Sequence, residues 1–234
     1  GLTLKNRERL SIFDDPDALA AIYMLPARIA ERLHDINDIS YQDAVDMRLA
    51  ACVEILLMAP IRRLNLAQLD MTRHFVWPTG KGGEARITVP QPEVKNRTEL
   101  HHFLPADSTA LVRLFIDRFR PLMVQGPSTA LFPGGNDGFM TPGSLGRIAR
   151  QGLHRHLGVQ FNAHLFRHFA CMNHLRENPG DYVTLRRLCG HKRLETLVNF
   201  YAGTETEAAV RRFHEATVFR IRARTGNAQS QDWV

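Results

Sequence analysis

Two hydrophobic periods run along this chain, and the places where one gives way to the other outline its elements. "DDPDALAAIYMLPARIAERL" (14–33) has an acidic start, apolar residues at helical spacing and basic residues at its end, which predicts a leading helix. "SYQDAVDMRLAACVEILLMAP" (40–60) predicts a second, stronger helix, with Ser40 as N-cap and Pro60 as stop. Over residues 74–105 the period changes. "HFVWPTGKGGEARITVPQPEVKNRTELHHFLP" alternates β-branched and aromatic runs, broken at Gly-Gly and Lys-Asn, and predicts a small antiparallel sheet. "DSTALVRLFIDRFRPL" returns to helix, and the Pro- and Gly-rich residues 121–145 read as a loop. From Ser144 to about Arg224 the pattern is helical, with breaks at Gly158, near Pro179-Gly180 and at Gly203. No repeat and no shift in composition marks a second core. The pattern therefore predicts a mainly α fold with a small three-stranded antiparallel sheet: a helical extension over 1–40, one domain over 41–225, and a mobile tail over 226–234.

Composition adds two constraints. The longest apolar-rich run, Leu49 to Ile61, is interrupted by Glu54 and is too short to span a bilayer, so no membrane partner is expected. The chain opens at Gly1 without a basic-then-apolar leader and reads as a trimmed piece. Cys52, Cys171 and Cys189 sit in apolar helical contexts with no close pair in sequence, which predicts buried free thiols in a reducing cytoplasm. The net charge of +6 is unevenly placed. Residues 1–140 hold 16 Lys and Arg against 17 Asp and Glu, whereas residues 141–234 hold 14 against 7. A positive field concentrated in the C-terminal part suits a polyanion.

The densest chemistry lies in "HLFRHFACMNHL" (164–175). His164, Arg167 and His168 fall at i, i+3 and i+4 and share a helix face, while Leu165, Phe169, Met172 and Leu175 can line a buried one. Such a stripe could hold a metal, bind a phosphate or be solvated. The zinc reading fails on residue types. A metalloprotease helix needs Glu after its first His, where this chain has Leu165; Arg167 adds a cation, and no third ligand is evident. The phosphate reading is better served, since the guanidinium fork of Arg167 matches phosphate oxygens. It gains weight from four features in order: Arg62 in "APIRRLNL", Lys95 in "EVKNRTEL", His191 in "LCGHKRLETL" and Tyr201 in "LVNFYAG".

This set resembles the catalytic domain of the tyrosine recombinases, the phage-integrase family of DNA site-specific recombinases, from about residue 40 to 215. "HLFRH" looks like the family's H-x-L-R-H box, "LCGH" like its L-G-H box and "TLVNFY" like the segment that carries the nucleophile. "APIRRLNLAQL" resembles the box that carries the first arginine. Three departures stand out: Asn65 replaces the usual Glu, the His191-to-Tyr201 gap is about one residue longer than common, and Ala202-Gly203 replaces the x-H after the tyrosine.

The resemblance implies a role for each residue. Tyr201 attacks phosphorus and forms a 3′-phosphotyrosyl link, while Arg62 and Arg167 clamp the non-bridging oxygens. Lys95 protonates the departing 5′ oxygen, His164 orients or deprotonates the tyrosine, and His191 hydrogen-bonds the phosphate. No ATP, metal or other cofactor is implied. The partner is double-stranded DNA, bound by a homo-tetramer, and the isolated fragment is expected to be monomeric and cytoplasmic. An upstream DNA-clamping domain is implied too, for which forty residues are too few, so the natural protein is expected to be longer. Tyr23, Tyr41 and Tyr182 read as packing residues, and Lys81 and Arg63 as the rivals of Lys95 and Arg62. His101, His102, His154 and His156 read as surface groups, and the Asn96 glycosylation sequon as chance. "ETEAAVRRFHEATVFRIRARTG" (205–226) reads as an amphipathic helix that packs in cis or docks on a neighbouring protomer. Three alternatives remain: a type IB topoisomerase, a silent DNA-binding module of the same fold and, more distantly, a zinc hydrolase.

Overall fold

The computed structural model describes residues 4–80, 82–161, 163–190, 195, 198, 201, 210, 211 and 213–229. One helix organises the rest. α3 (Tyr41–Met58) opens with a capping box, in which the Ser40 hydroxyl accepts from the Asp43 backbone N–H and the Asp43 carboxylate accepts from that of Ser40. Residues from Ala44 to Leu56 are buried on almost every face, as an apolar helix in the middle of a core must be. Around it pack α2 (Pro16–Leu33), α5 (Ala106–Leu114), α6 (Pro142–Leu157) and α7 (Leu165–Glu177). The approach of α6 depends on Gly152, where a Cβ would lie 2.5 Å from Cδ2 of Leu49. The N-terminal α1 (Leu4–Ser11), the short turn after it and α2 share this core through Leu10, Phe13, Ile22, Leu25, Ile29 and Leu33. Phe13 meets Phe161 and Phe169 edge-to-face at 4.9 Å, contacts worth about 0.5–1.5 kcal/mol each beyond their burial.

The sheet is three-stranded and antiparallel, in the order β1 (Phe75–Val76), β2 (Ala85–Val89), β3 (Leu100–Leu104). Pairing of Ile87 with His102 and of Val89 with Leu100 turns one face inward. Thr109 fastens α5 to it by donating to the Leu104 carbonyl (2.8 Å) and accepting from the Ala85 N–H (2.9 Å). α4 (Arg63–Ala67) is a short helix directly after the Pro60 break. α8 (Tyr182–Cys189) is capped by Asp181 and ends at Gly190, whose φ of 58° favours glycine. A Cβ at Gly190 would also meet Cδ2 of Leu100 at 2.5 Å. α9 (Arg220–Gln229) closes the described chain.

The mainly α architecture with its small sheet is as expected from the sequence. Two differences have local causes. α6 starts at Pro142 instead of Ser144, because Thr141 caps it and Pro suits the first helical position. His102 is a core residue, not a surface group: period-two alternation puts residues 100, 102 and 104 on the inner face. Among the described residues no helix is long and apolar enough to cross a membrane.

Candidate active site

The break at Pro60 and the start of α7 bring two arginines together. Arg62 occupies the N-cap position of α4, with Nη1 buried and without a hydrogen-bond partner among the described residues. Burial, and then the neighbouring Arg167 charge, pull its proton affinity below the usual guanidinium range. Arg167 lies in the first turn of α7 and is buried. Its Nη1 donates to the Pro60 carbonyl at 3.3 Å, and its Nη2 donates to the Cys189 carbonyl. One side chain thus ties the end of α3 to the end of α8.

Tyr201 is 3% exposed. Its hydroxyl lies 2.6 Å from Nδ1 of His168, the residue after Arg167 in α7 and one turn on from His164. Burial pushes the phenol well above its usual range; Cys171 beside it acts in the same direction and Arg167 against it. The ground state is therefore a neutral phenol that needs a base. His164 is the N-cap residue of α7, exposed, with its ring edge-to-face on that of His168 at 5.4 Å. Partial burial, then Arg63, Arg167 and Arg62, lower its proton affinity, so its neutral form is favoured.

Lys95 is exposed in the turn between β2 and β3. That turn is anchored at two points. Nδ2 of Asn65 donates to the Glu93 carbonyl at 2.9 Å, and Nδ2 of Asn96 donates to the Gly190 carbonyl at 3.1 Å. The Glu93 carboxylate in turn holds Arg73 and His74, each at 3.0 Å. The lysine turn is thereby attached to the end of α8, where "LCGH" begins. His191 lies outside the described residues, as does Lys81.

Several further placements differ from expectation. His168, read from sequence as part of the polar stripe and of a zinc pair but given no role of its own, is the group at the tyrosine hydroxyl; its place at i+4 from His164 was the available signal. Cys171 and Cys189 are a close pair in space, with sulfurs 3.5 Å apart, because α7 and α8 pack together. All three cysteines are buried free thiols. The hydrogen bond from Cys171, and then Arg167 and Arg62, make the Cys189 thiol the more acidic of the two despite burial. Tyr41 is 63% exposed and does not pack, since it sits at the first, outward position of α3. His156 is half-buried, 3.4 Å from the Asp46 carboxylate that also holds Arg32 and Arg155. Among the described residues no three His, Cys, Asp or Glu side chains converge as a metal site.

The sequence matches the profile of the phage integrase family over residues 29–207. The chain belongs to the phage integrase family. Its fold is similar to that of solved tyrosine recombinases. A XerH site-specific recombinase bound to its difH substrate, before cleavage, superposes with a TM-score of 0.54 at 18% identity, covering 74% of this chain and 47% of that one. The post-cleavage complex of XerH with palindromic difH gives 0.57 at 18%, covering 82% and 50%. XerA recombinase gives 0.56 at 17%, covering 92% and 64%. This integrase-family chain thus spans about half to two thirds of the proteins it superposes on. No curated protein sequence matches it.

Proposed function

We propose that this integrase-family chain is the catalytic part of a site-specific DNA recombinase that breaks and rejoins duplex DNA through a 3′-phosphotyrosyl intermediate. One observation carries the reading: a buried neutral tyrosine, 2.6 Å from an imidazole nitrogen and within reach of the charge of Arg167, which acts in turn on Arg62. Among the described residues neither Arg62 nor Arg167 is paired with a carboxylate. A phosphodiester supplies the missing negative charge.

Each group has a task in that chemistry. His168 takes the phenolic proton as Tyr201 attacks phosphorus. Arg62, with its unpaired Nη1, and Arg167 stabilise the non-bridging oxygens as charge develops. Lys95 gives a proton to the departing 5′ oxygen, and the turn that carries it is held in place by Asn65 and Asn96. His164 and His191 complete the phosphate's hydrogen bonds. Attack conserves the bond energy in the phosphotyrosine, so rejoining is the reverse step and needs no nucleotide. The reading extends to a DNA-bound homo-tetramer in which the C-terminal helix docks on a neighbour.

The burial of Tyr201 favours a second reading, a silent DNA-binding module of the same fold. Trapping on a nicked suicide duplex, drawn from the DNA that flanks the gene, separates the two. A recombinase forms a covalent protein–DNA adduct that Tyr201→Phe abolishes while DNA binding persists. A silent module binds and forms none. Relaxation of a supercoiled plasmid without the target sequence would instead indicate a topoisomerase.

A further inference from the structure

A depression of about 530 Å³ opens beside His164, lined by Arg63, Gly143, Gly146, Arg147, Arg150 and His164. Three guanidiniums meet there from two elements. Arg63 starts α4, and Arg147 and Arg150 lie one turn apart on α6. Among the described residues none of the three has a carboxylate or a hydrogen-bond partner. Gly146 makes the convergence possible: a Cβ there would lie 3.0 Å from Nη1 and 3.1 Å from Cδ of Arg63, so the guanidinium lies across bare helix backbone. Gly143 brings the first turn of α6 into the wall, and its amide end adds partial positive charge. Unneutralised, these charges repel one another. An anion reverses the sign of every one of those interactions, and planar guanidinium forks suit the tetrahedral oxygens of a phosphate.

We propose that this pocket grips a second backbone phosphate of the DNA strand that Tyr201 attacks, and so sets which phosphodiester reaches Arg62 and Arg167. The assignment rests on the strand-transfer reading above and adds three residues to its substrate site. His164 is the shared wall, since the arginines that depress its proton affinity come from both sides: Arg63 from the pocket, Arg167 and Arg62 from the tyrosine side. The grip is made equally to ground and transition states, so it acts on affinity and register more than on the chemical step.

The test compares wild type with Arg147→Gln/Arg150→Gln, whose two side chains are exposed and can be shortened without disturbing the core. The first measurement is binding of the flanking-DNA duplex against salt. Loss of one phosphate contact should lower the slope of log affinity against log salt by about 0.9. The second is adduct formation on suicide duplexes that carry a single neutral methylphosphonate at successive positions beside the scissile phosphate. One position should slow wild type by about tenfold or more, and the same replacement should add little to the defect of the double variant. An unchanged salt slope overturns the proposal, as does a methylphosphonate defect of equal size in both proteins. Inorganic pyrophosphate separates DNA from a free anion: if it raises the wild-type Tm at millimolar concentration while the methylphosphonate scan is flat, the pocket serves a soluble ligand and the proposal fails. Absence of any Tyr201 adduct on unmodified duplex overturns the strand-transfer reading, and the salt slope still judges the pocket.

Discussion

Replacing His168 by Gln tests the pairing proposed for the reaction centre. The imidazole nitrogen of the half-buried His168 stands 2.6 Å from the hydroxyl of the buried Tyr201. Glutamine can keep a hydrogen bond there but cannot take a proton at neutral pH. The variant must therefore react through phenolate formed beforehand. With an ordinary phenol of pKa ~10, about 0.3% is ionised at pH 7.5, a loss of roughly 300-fold. Burial raises the Tyr201 pKa further, so the loss should be larger, within the range of about 10²–10⁴ usual for a general base. The sign of the pH dependence follows from the same shift. Below a raised pKa the phenolate fraction grows tenfold per pH unit, so the variant's rate should climb about tenfold per unit between pH 7 and 9. Wild type, with its base in place, should be nearly flat over that window. Single-turnover adduct formation on the suicide duplex measures both quantities, and added imidazole should partly restore His168→Ala. A His168→Gln rate within about threefold of wild type, or a flat profile, would refute the base assignment and return it to His164.

Arg62→Ala should slow cleavage by about 10²–10³ with little change in stability, since its Nη1 has no partner among the described residues. Arg167→Ala should also lose stability, about 2–5 kcal/mol in urea melts, because the Pro60 and Cys189 carbonyls lose a charged donor; equal melts would contradict the tie between α3 and α8. Lys95→Ala should be slow on a normal phosphodiester yet regain much of the rate on a 5′-bridging phosphorothiolate, whose sulfur leaves without a proton; equal defects on both would move the acid elsewhere. Burial, then Arg167 and His101, depress His102 to about 4 from 6.5, so the unfolded chain binds the extra proton between those values. Its share of stability is present above pH 6.5 and lost as pH falls towards 4, up to about 3 kcal/mol, and His102→Leu should flatten that part of the urea-melt profile; an unchanged acid slope would count against it. Phe213, Phe219 and Ile221 are 55–57% exposed, so truncation after Gly203 should spare DNA binding and impair recombination of two sites; normal recombination would make the helix dispensable.

Much of this was legible in the sequence, and the exceptions share a cause. The hydrophobic periods gave the helices and the sheet because each period reports a local geometry. The boxes at 62, 95, 164–168 and 201 stand out in the sequence because the proposed phosphoryl transfer calls for particular residue types. What escaped were relations between elements. The partner of Tyr201 is 33 residues away in sequence, and which histidine of α7 meets it depends on how α7 and the Tyr201 segment pack. Cys171 and Cys189 lie 18 residues apart and meet only because α7 and α8 dock. The polar stripe on α7 left open whether Arg167 is solvated; it is buried, since two backbone carbonyls accept from its donors. His102 was within reach: "LHHFL" alternates, but the histidine was judged by residue type instead of by position.

These long-range ties also explain how the departures from the family boxes can be accommodated. An acidic residue after the first arginine would support that arginine by charge. Here Asn65 stands in its place, 4% exposed, and turns its amide to the Glu93 carbonyl 28 residues away. Support has moved from the arginine to the lysine turn. Glu93 keeps its carboxylate for Arg73 and His74, so its negative charge is held away from the two arginines. The result is a centre scaffolded by backbone carbonyls: Pro60 and Cys189 for Arg167, Glu93 for Asn65, Gly190 for Asn96. Neutral carbonyls can orient a guanidinium without cancelling its charge, whereas a carboxylate at the same distance would draw the arginine away from the phosphate. A site built this way holds its cations in position and leaves their field free for the phosphate of the proposed substrate. Restoring the acid by Asn65→Glu should therefore cost activity as well as the anchor of the lysine turn. If that variant cleaved faster than wild type, the missing carboxylate would be a deficit instead of a relocation.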